Sequence, residues 1–474
     1  VKGWHGGTFL LAAQIALWQK RTMIEKISYP SATAPLACVI LAAGQGTRMK
    51  SDLPKVLHSV AGLPMVQHAI RAAAALSPQK ILIVTPPHSE AIQQAVAPQR
   101  CVVQVKPQGT GDAAKAAAQE LEGFDGDVIV MFGDTPLVTS AALESLRTRR
   151  TETNAAIVVA GFRTTEPGAY GRLILDGQGH LTAIVEAAEA TLLQLQLDLC
   201  NGGIMLFAPG KLLPLLDRLR DDNSKKEFYL TDCIALAQQD GGICVVAEMP
   251  AETVLGINTR VELAEAERLM QQRLRQQMML DGVTMIDPDT VYLSFDTKIG
   301  RDVTIGPNVV IGAGVEIGDK VDIRAFCHLE QVRVEDNAII GPFARLRPGS
   351  VIHSGAHIGN FVEIKNAEVG KGAKINHLSY IGDAFVGDAA NIGAGTITCN
   401  YDGFRKFHTH IGAGAFVGSN SSLVAPVKVG DGAYVGAGSV ITMEVPAHTL
   451  AVARGRQSLI EDWAKRFREG QIKK

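Results

Sequence analysis

The sequence predicts an α/β domain, Rossmann-like with a mostly parallel sheet, followed by a left-handed parallel β-helix of hexapeptide repeats. Two observations carry this. From Ile299 to Ile441 an aliphatic residue returns every sixth position, often followed by glycine, as in Ile299-Gly300, Ile305-Gly306, Ile311-Gly312 and Ile317-Gly318. In the N-terminal half, apolar runs at Leu36 to Leu41, Lys80 to Thr85 and Val128 to Phe132 alternate with helical stretches, the βαβ rhythm of a largely parallel sheet.

The six-residue beat defines the coil. Each unit makes one short strand of a three-sided turn, its aliphatic residue stacks inward on its counterparts, and glycine permits the corner. The beat continues through Ile323 and Leu329, then Ile340, Leu346, Ile352, Ile358 and Ile364, then Val369, Ile375 and Ile381, and last from Ile411 through Val417, Leu423, Val429 and Val435 to Ile441. It shortens by one at Val369 and Val386, lengthens between Leu329 and Ile340, and vanishes across Thr398 to His410. Loops or insertions are expected to leave the coil there, and functional loops concentrate at such places. A coil of this kind usually associates with others around an axis.

Composition narrows the function classes. With 474 residues the chain suggests two or three domains. A net charge of −2 argues against an extended nucleic-acid surface, and 5% aromatics against base-stacking platforms. The seven cysteines are scattered, without a C-x-x-C pair or zinc spacing, which fits a reduced cytoplasm. The apolar run Phe9 to Trp18 is too short to span a membrane, and the small-residue triplet at Ala32 lies too far downstream for a secretory cleavage site. Residues 1–34 read as an N-terminal extension, expected to be disordered, with Met23 as a natural start.

The first strand runs into Ala42-Ala43-Gly44-Gln45-Gly46-Thr47-Arg48-Met49, with Leu53-Pro54-Lys55 close behind. Gly44 and Gly46 let backbone N–H groups face an anion, and Arg48 and Lys55 add charge where a polyphosphate would lie. Met49 stands where a dinucleotide fingerprint needs its third glycine, and the Gly-Lys-Ser/Thr of a P-loop is missing. Asp134 follows Val128 to Phe132 at the carboxyl edge of the sheet, where a magnesium ion bridging protein and nucleotide would sit. Capping the helix at Ser140, or a simple turn, remains an equal account of this aspartate.

Leu41-Ala-Ala-Gly-x-Gly-Thr-Arg-Met49 and Leu53-Pro-Lys55 resemble the signature of the sugar-nucleotide pyrophosphorylases. Gln104 with Gln108-Gly109-Thr110-Gly111, Tyr170-Gly171-Arg172, Ile184-Val185-Glu186, Asn201-Gly202, Tyr229-Leu230-Thr231-Asp232 and Gly256-Ile257-Asn258 follow in order, ahead of the coil. The arrangement, from about Leu36 to Arg456, resembles the bacterial family of bifunctional N-acetylglucosamine-1-phosphate uridylyltransferases and glucosamine-1-phosphate N-acetyltransferases. The resemblance makes the first domain a nucleotidyltransferase. It implies that Leu41, Ala43, Gly44, Gln104, Gly109 and Thr110 hold the nucleoside of UTP, with Arg48 and Lys55 at its phosphates as catalytic cations. Asp134 and Asn258 would ligate Mg2+, and Gly171, Glu186 and Asn201 would bind the sugar.

In the coil, Gly341-Pro-Phe-Ala-Arg-Leu-Arg347-Pro-Gly349, Gly359-Asn-Phe-Val-Glu363-Ile-Lys365 and Asn376-His377-Leu-Ser-Tyr380 resemble the acetyltransferase half. The resemblance implies His377 as catalytic base, Glu363 orienting its ring, and Arg347 and Lys365 on the phosphate of glucosamine 1-phosphate, with Tyr380 and Asn391 on the same acceptor. Ala394, Asn400, Tyr401, Ser419, Ala437 and Arg454 are the implied acetyl-CoA positions, and the Asn400 to His410 insertion is expected to cover a neighbour's site. It also implies a homotrimer built through the coil, small-molecule substrates only, and no nucleic-acid or membrane partner. The chain departs from the family pattern at Phe132, where tyrosine is usual, at Ala187-Ala188, where a basic residue is common, and at Gly202-Gly203.

The expected organisation is therefore residues 35–258 for uridylyl transfer, a linker helix at 259–282, the coil at 283–456 and a C-terminal helix or tail at 457–474. Leu263, Ala266, Leu269 and Met270 mark the linker as an amphipathic strut. Leu459, Trp463 and Phe467 mark the tail helix. The competing readings are a nucleotidyltransferase whose coil serves oligomerisation alone, and a non-catalytic regulatory subunit. The second predicts loss of Arg48, Lys55, Asp134 and Asn258, all of which are present.

Overall fold

The computed structural model describes residues 34–44, 46–223 and 225–472, in two compact units. The apolar run after Phe9, Met23 and nearly all of the expected extension lie outside the described residues. One unit runs to His58 and from Pro64 to Leu263; the other comprises Ser59–Leu63 and the chain from Ala264.

The first unit is built on a nine-stranded sheet whose main path runs Cys244–Glu248, Ile157–Arg163, Leu199–Phe207, Asp127–Phe132, Leu36–Leu41, Lys80–Thr85 and Arg100–Val103. Leu36–Leu41 is buried at every position, as a strand covered on both faces must be. Leu199–Phe207 lies antiparallel to both neighbours, while the other pairs of this path are parallel. The sheet is therefore mixed. The chain reaches that strand through the antiparallel hairpin Arg172–Leu175 and Leu181–Val185, so it returns reversed where a crossover helix would have kept it parallel.

Leu36–Leu41 pairs with Lys80–Thr85 on one side and Asp127–Phe132 on the other. The loops leaving the carboxyl ends of these strands open a crevice where the strand order reverses. Ala42 N donates to Val84 O at 2.8 Å and Gly133 N to Leu41 O at 2.9 Å, which fixes the two loops side by side.

At the opposite end of Asp127–Phe132, the fully buried Asp127 carboxylate meets Arg150 Nε at 2.7 Å and Arg147 Nε at 3.6 Å. Burial pushes the Asp127 carboxyl up, against the pull of both guanidiniums. Replacing it by alanine takes the buried carboxylate away from Arg150 and from Arg147, which keeps Glu144 and Ala34 O as partners. Asp127→Ala is expected to cost about 3–5 kcal/mol, read as a lowered urea midpoint for the first unit.

In the second unit the beat becomes a parallel coil. Ile305, Ile323, Ile340, Ile358, Ile364, Ile375 and Ile381 are wholly buried in one continuous core. Every pair between rungs is parallel, and rungs repeat after 18 residues, as from Thr304 to Asp322, or after 17, as from Asp322 to Ile339, His357 to Lys374 and Lys374 to Asn391. The 17-residue rungs correct the expected insertions at Val369, Val386 and between Leu329 and Ile340. Strands Glu363–Val369 and Tyr380–Val386 turn the corner without a loop, and Val334 supplies the missing beat. Gln331, Asn366 and Asp383 take left-handed backbone at these tight corners, with φ of 46°, 45° and 49°. Among the described residues only the segment after Cys399 leaves the coil, and this rung is 25 residues long, from Asn391 to Phe416.

Aspartates at the corners add a polar ladder. Asp336, Asp388 and Asp431 each accept the backbone N–H of the corner below, from Asp319, Lys371 and Ala413 at 2.8 Å.

The helix Arg260–Leu280 starts at a capping box, in which Thr259 Oγ1 accepts from Glu262 N and Glu262 Oε2 accepts from Thr259 N and Asn258 N, both at 2.7 Å. Beyond Ala264 its buried face differs from the expected apolar stripe. Ala266, Gln271 and Arg275 are buried, and Leu274 and Met278 pack on the coil core. Gln271 donates to Leu293 O at 2.7 Å and accepts from Leu293 N at 2.8 Å, while Arg275 reaches Asp289 at 2.9 Å. The helix meets an open strand edge, so polar side chains stand in for a neighbouring strand. Ala61 N donates to Glu267 at 2.6 Å and Phe295 N to Ala61 O at 2.9 Å, which ties Ser59–Leu63 into this unit.

The last helix, Trp463–Ile472, begins at Trp463, whose ring stacks on Phe467 at 5.1 Å; Leu459 precedes it. Among the described residues no helix is long and apolar enough to cross a membrane.

Candidate active sites

The crevice of the first unit encloses about 560 Å³. Leu41, Ala43, Gly44, Gln104, Gly109 and Thr110 line it, as do Arg48, Lys55, Asp134 and Asn258, and Gly171, Glu186 and Asn201. It thus brings together every nucleotide, sugar and metal position that the resemblance implies in this half, while Gly46 is not among the residues that line it.

Gly46 sits at φ 63°, and a Cβ there would stand 2.5 Å from Lys55 Cβ, so the loop folds directly onto that lysine. A Cβ on Gly44 would meet nothing within 4 Å, leaving the crevice side open. Lys55 Nζ bonds the Asp134 carboxylate and lies 3.1 Å from Asn258 Oδ1, which also accepts from Arg48 Nη2 at 2.9 Å. Asp134 takes no part in starting the next helix; Thr139 caps it, accepting from Ala142 N at 3.2 Å.

Two hard oxygen donors thus converge where cations already gather, and this donor set suits magnesium. No group of three or more His, Cys, Asp or Glu side chains that could hold a metal ion stands among the described residues, so an ion here would draw the rest of its shell from phosphate oxygens and water.

Gln104, almost buried, donates to Asp112 at 2.8 Å and Gly109 O at 3.2 Å. Thr110 Oγ1 accepts from Leu230 N at 3.0 Å, which draws the Tyr229 motif to the crevice. At the far end burial pushes the Glu186 carboxyl up; Lys225 opposes this, and Glu189 and Asp232 reinforce it. Sequence reasoning passed over Lys225, which lies in a polar loop with no motif. The Phe132 ring covers Gly203, where a Cβ would come within 2.6 Å of it, so the Phe132 and Gly203 positions are coupled by packing.

The coil offers a second constellation on one outward face and its two bounding corners. At one corner His377 ends strand Lys374–His377, in register with Asn360 of the rung below, and its Nδ1 lies 2.6 Å from Asn360 Oδ1. The same corner continues through Ala394, Ser419 and Ala437, linked by Asn420 N to Ala394 O at 2.7 Å and Gly438 N to Ser419 O at 2.8 Å. The Arg454 side chain passes 4.0 Å from the position of a Cβ on Gly438.

On the face, Arg347 Nη1 donates to Glu363 at 2.7 Å, and Glu363 stands in register with Tyr380. The expected partner of His377 is therefore engaged elsewhere; Asn360 occupies that place. At the far corner Asp383 accepts from Asn366 Nδ2 at 2.6 Å and from Asn400 Nδ2. Burial opposes ionisation of Asp383, but these bonds and the charges of Lys406 and Lys365 hold its carboxyl below the usual range. The Lys406 ammonium beside Lys365 disfavours a second positive charge and holds Lys365 below the ordinary lysine range.

Two ammonium groups beside Arg347 give this corner a concentration of positive charge, chemically suited to a dianion. Lys406 was missed because nothing in its spacing singles it out. The base of the Asn400 insertion is tied to this chain's own Asp383, and its Lys406 lies beside this chain's own Lys365. Tyr401 is exposed, with its hydroxyl donating to Gly403 O. Asn400 thus stands at the dianion corner, away from Ala394, Ser419 and Ala437. Asn391 lies in register with Lys374 and Phe416, on the face leading into the His377 corner.

Residues 38–237 match the MobA-like NTP transferase domain, and residues 296–331, 331–366 and 408–442 match the bacterial transferase hexapeptide (six repeats). Along nearly its whole length the chain is similar to proteins named bifunctional protein GlmU. That of Paramagnetospirillum magneticum is 55% identical over 444 residues, covering 94% of this chain and 99% of the relative. That of Ruegeria sp. is 51% identical, covering 89% and 94%. That of Zymomonas mobilis is 45% identical, covering 94% and 100%.

Proposed function

We propose how two reactions are divided within this chain, which belongs to the GlmU family of bifunctional proteins. The chain is a bifunctional transferase of UDP-N-acetylglucosamine synthesis, joining acetyl transfer from acetyl-CoA to glucosamine 1-phosphate with uridylyl transfer from UTP to N-acetylglucosamine 1-phosphate. The observation that carries the division is that each unit holds a separate set of groups suited to one reaction.

In the first unit a phosphate oxygen of the sugar phosphate attacks the α-phosphorus of UTP and pyrophosphate leaves. Arg48 and Lys55 balance the charge that develops, Gln104, Gly109 and Thr110 seat the nucleoside, and Glu186 and Asn201 seat the sugar. Asp134 and Asn258 would hold magnesium, which supplies further charge neutralisation at the phosphates. Lys55 then moves from the carboxylate to the nucleotide.

In the coil, Arg347, Lys365 and Lys406 hold the phosphate of glucosamine 1-phosphate, and His377 removes the amine proton as nitrogen attacks the thioester carbonyl. The carbon–sulfur bond breaks and the thiolate takes up a proton. The small corner residues Ala394, Ser419 and Ala437 leave a groove for the pantetheine, with Arg454 at its end. Coils of this kind associate around a threefold axis, which supports a homotrimer. Two soluble co-substrates and seven free cysteines support a cytoplasmic enzyme.

The test is selective metal removal. With EDTA, pyrophosphate release from UTP and N-acetylglucosamine 1-phosphate is expected to fall to background and to return with added Mg2+. Thiol release from acetyl-CoA and glucosamine 1-phosphate is expected to continue. Pyrophosphate release that persists, or thiol release that stops, would contradict this division.

A further inference from the structure

We propose that Asn360 is a positioning residue for acetyl transfer: its side-chain oxygen accepts the Nδ1 proton of His377 and so leaves the Nε2 lone pair to take the proton of the attacking amine. This rests on the reading of His377 as base.

The coil itself sets up the pair. Asn360 and His377 end successive strands of one face, His357–Asn360 and Lys374–His377, and stand in register, with Oδ1 and Nδ1 2.6 Å apart. Each is followed by a residue in left-handed backbone, Phe361 at φ 54° and Leu378 at φ 51°, so both stand at the same turn of the corner. Gly359 makes the approach possible, because a Cβ there would overlap the Asn376 carbonyl. The rung above carries Ala394 at this corner, which leaves that side of the ring free of a bulky neighbour.

The chemistry favours an amide here. An imidazole that donates from Nδ1 is neutral with its other nitrogen basic, which is the tautomer a general base needs. The amide oxygen carries no net charge, so it orients the ring without adding the ion pairing that a carboxylate would impose. Glu363, the carboxylate expected in this role, is held by Arg347. The ionisable group shown to interact with His377 is His357, on the strand of Asn360; Lys374, on the strand of His377, and Arg324 and Asp322, from lower rungs, act on His357 in turn.

The test measures thiol release against pH for wild type, Asn360→Ala, Asn360→Asp and His377→Ala. Asn360→Ala is expected to lower kcat about 10- to 100-fold, with the KM for glucosamine 1-phosphate little changed, as a loosened catalytic group does. Asn360→Asp keeps an acceptor at the same place, so it is expected to retain more rate while moving the acidic limb of kcat/KM upward by about one pH unit. A merely structural role would leave that limb where it is. If Asn360→Ala keeps wild-type rates, or Asn360→Asp leaves the limb unmoved, while His377→Ala abolishes the signal, the positioning role is wrong and the base survives. If His377→Ala retains thiol release, the base assignment itself is overturned.

Discussion

His377→Ala is expected to lower acetyl transfer by about 10²- to 10⁴-fold, the span that a single general base contributes, and to leave uridylyl transfer unchanged. The loss should fall on kcat, because Arg347, Lys365 and Lys406, which hold the acceptor phosphate in this reading, stand apart from the ring. The face between the His377 corner and the Asp383 corner is about one short strand wide, roughly 10 Å. The amine and the phosphate of glucosamine 1-phosphate sit on adjacent ring carbons, so the long arginine and lysine side chains must reach along the face towards the imidazole for one acceptor to meet both. Thiol release and pyrophosphate release measured on the same preparation check the result. Equal loss of both would point to damage across the chain, and no loss of thiol release would remove His377 from the chemistry.

The coil was legible because its period is a direct image of its geometry: one inward aliphatic per short strand, stacked at Ile305, Ile323, Ile340 and Ile358. What the period could not convey was why it slipped. A five-residue step at Asn366 or Asp383 is a tighter corner with left-handed backbone, yet in one dimension it looks like an interruption. The linker helix failed differently. Periodicity assumes an apolar partner, whereas Gln271 and Arg275 satisfy the backbone of an open strand edge.

The nucleotide crevice was half legible from chemistry alone. Gly44, Gly46, Arg48 and Lys55 all fall within the fourteen residues that follow one strand, so their joint purpose survives without a fold. Asp134 could be placed at the same sheet edge from its strand end, on equal terms with a cap or turn, whereas only the resemblance linked the distant Asn258 to that loop. Asn360 and Lys406 stayed hidden because their meaning depends on coil register and on the path of one insertion. Asn360 matters because it lies one rung below His377, 17 residues away and adjacent in space.

Asp134→Asn is expected to reduce uridylyl transfer by at least about 10²-fold, corresponding to the roughly 2.7–4 kcal/mol lost when one preorganised electrostatic contact to a developing charge is removed. Acetyl transfer should be unaffected. The substitution keeps the shape of the side chain and removes its charge, so it separates ion binding from packing. It also frees Lys55, whose ammonium is bonded to Asp134 and Asn258 in the ligand-free protein. Two opposing consequences follow. UTP should meet a more available cation and bind without a large rise in KM, while the rate falls and the magnesium concentration needed for half-maximal activity rises. Titrating Mg2+ against initial rates of pyrophosphate release distinguishes these effects. An unchanged magnesium requirement would assign Asp134 to holding Lys55 in place, and rates within about threefold of wild type would exclude it from the reaction altogether.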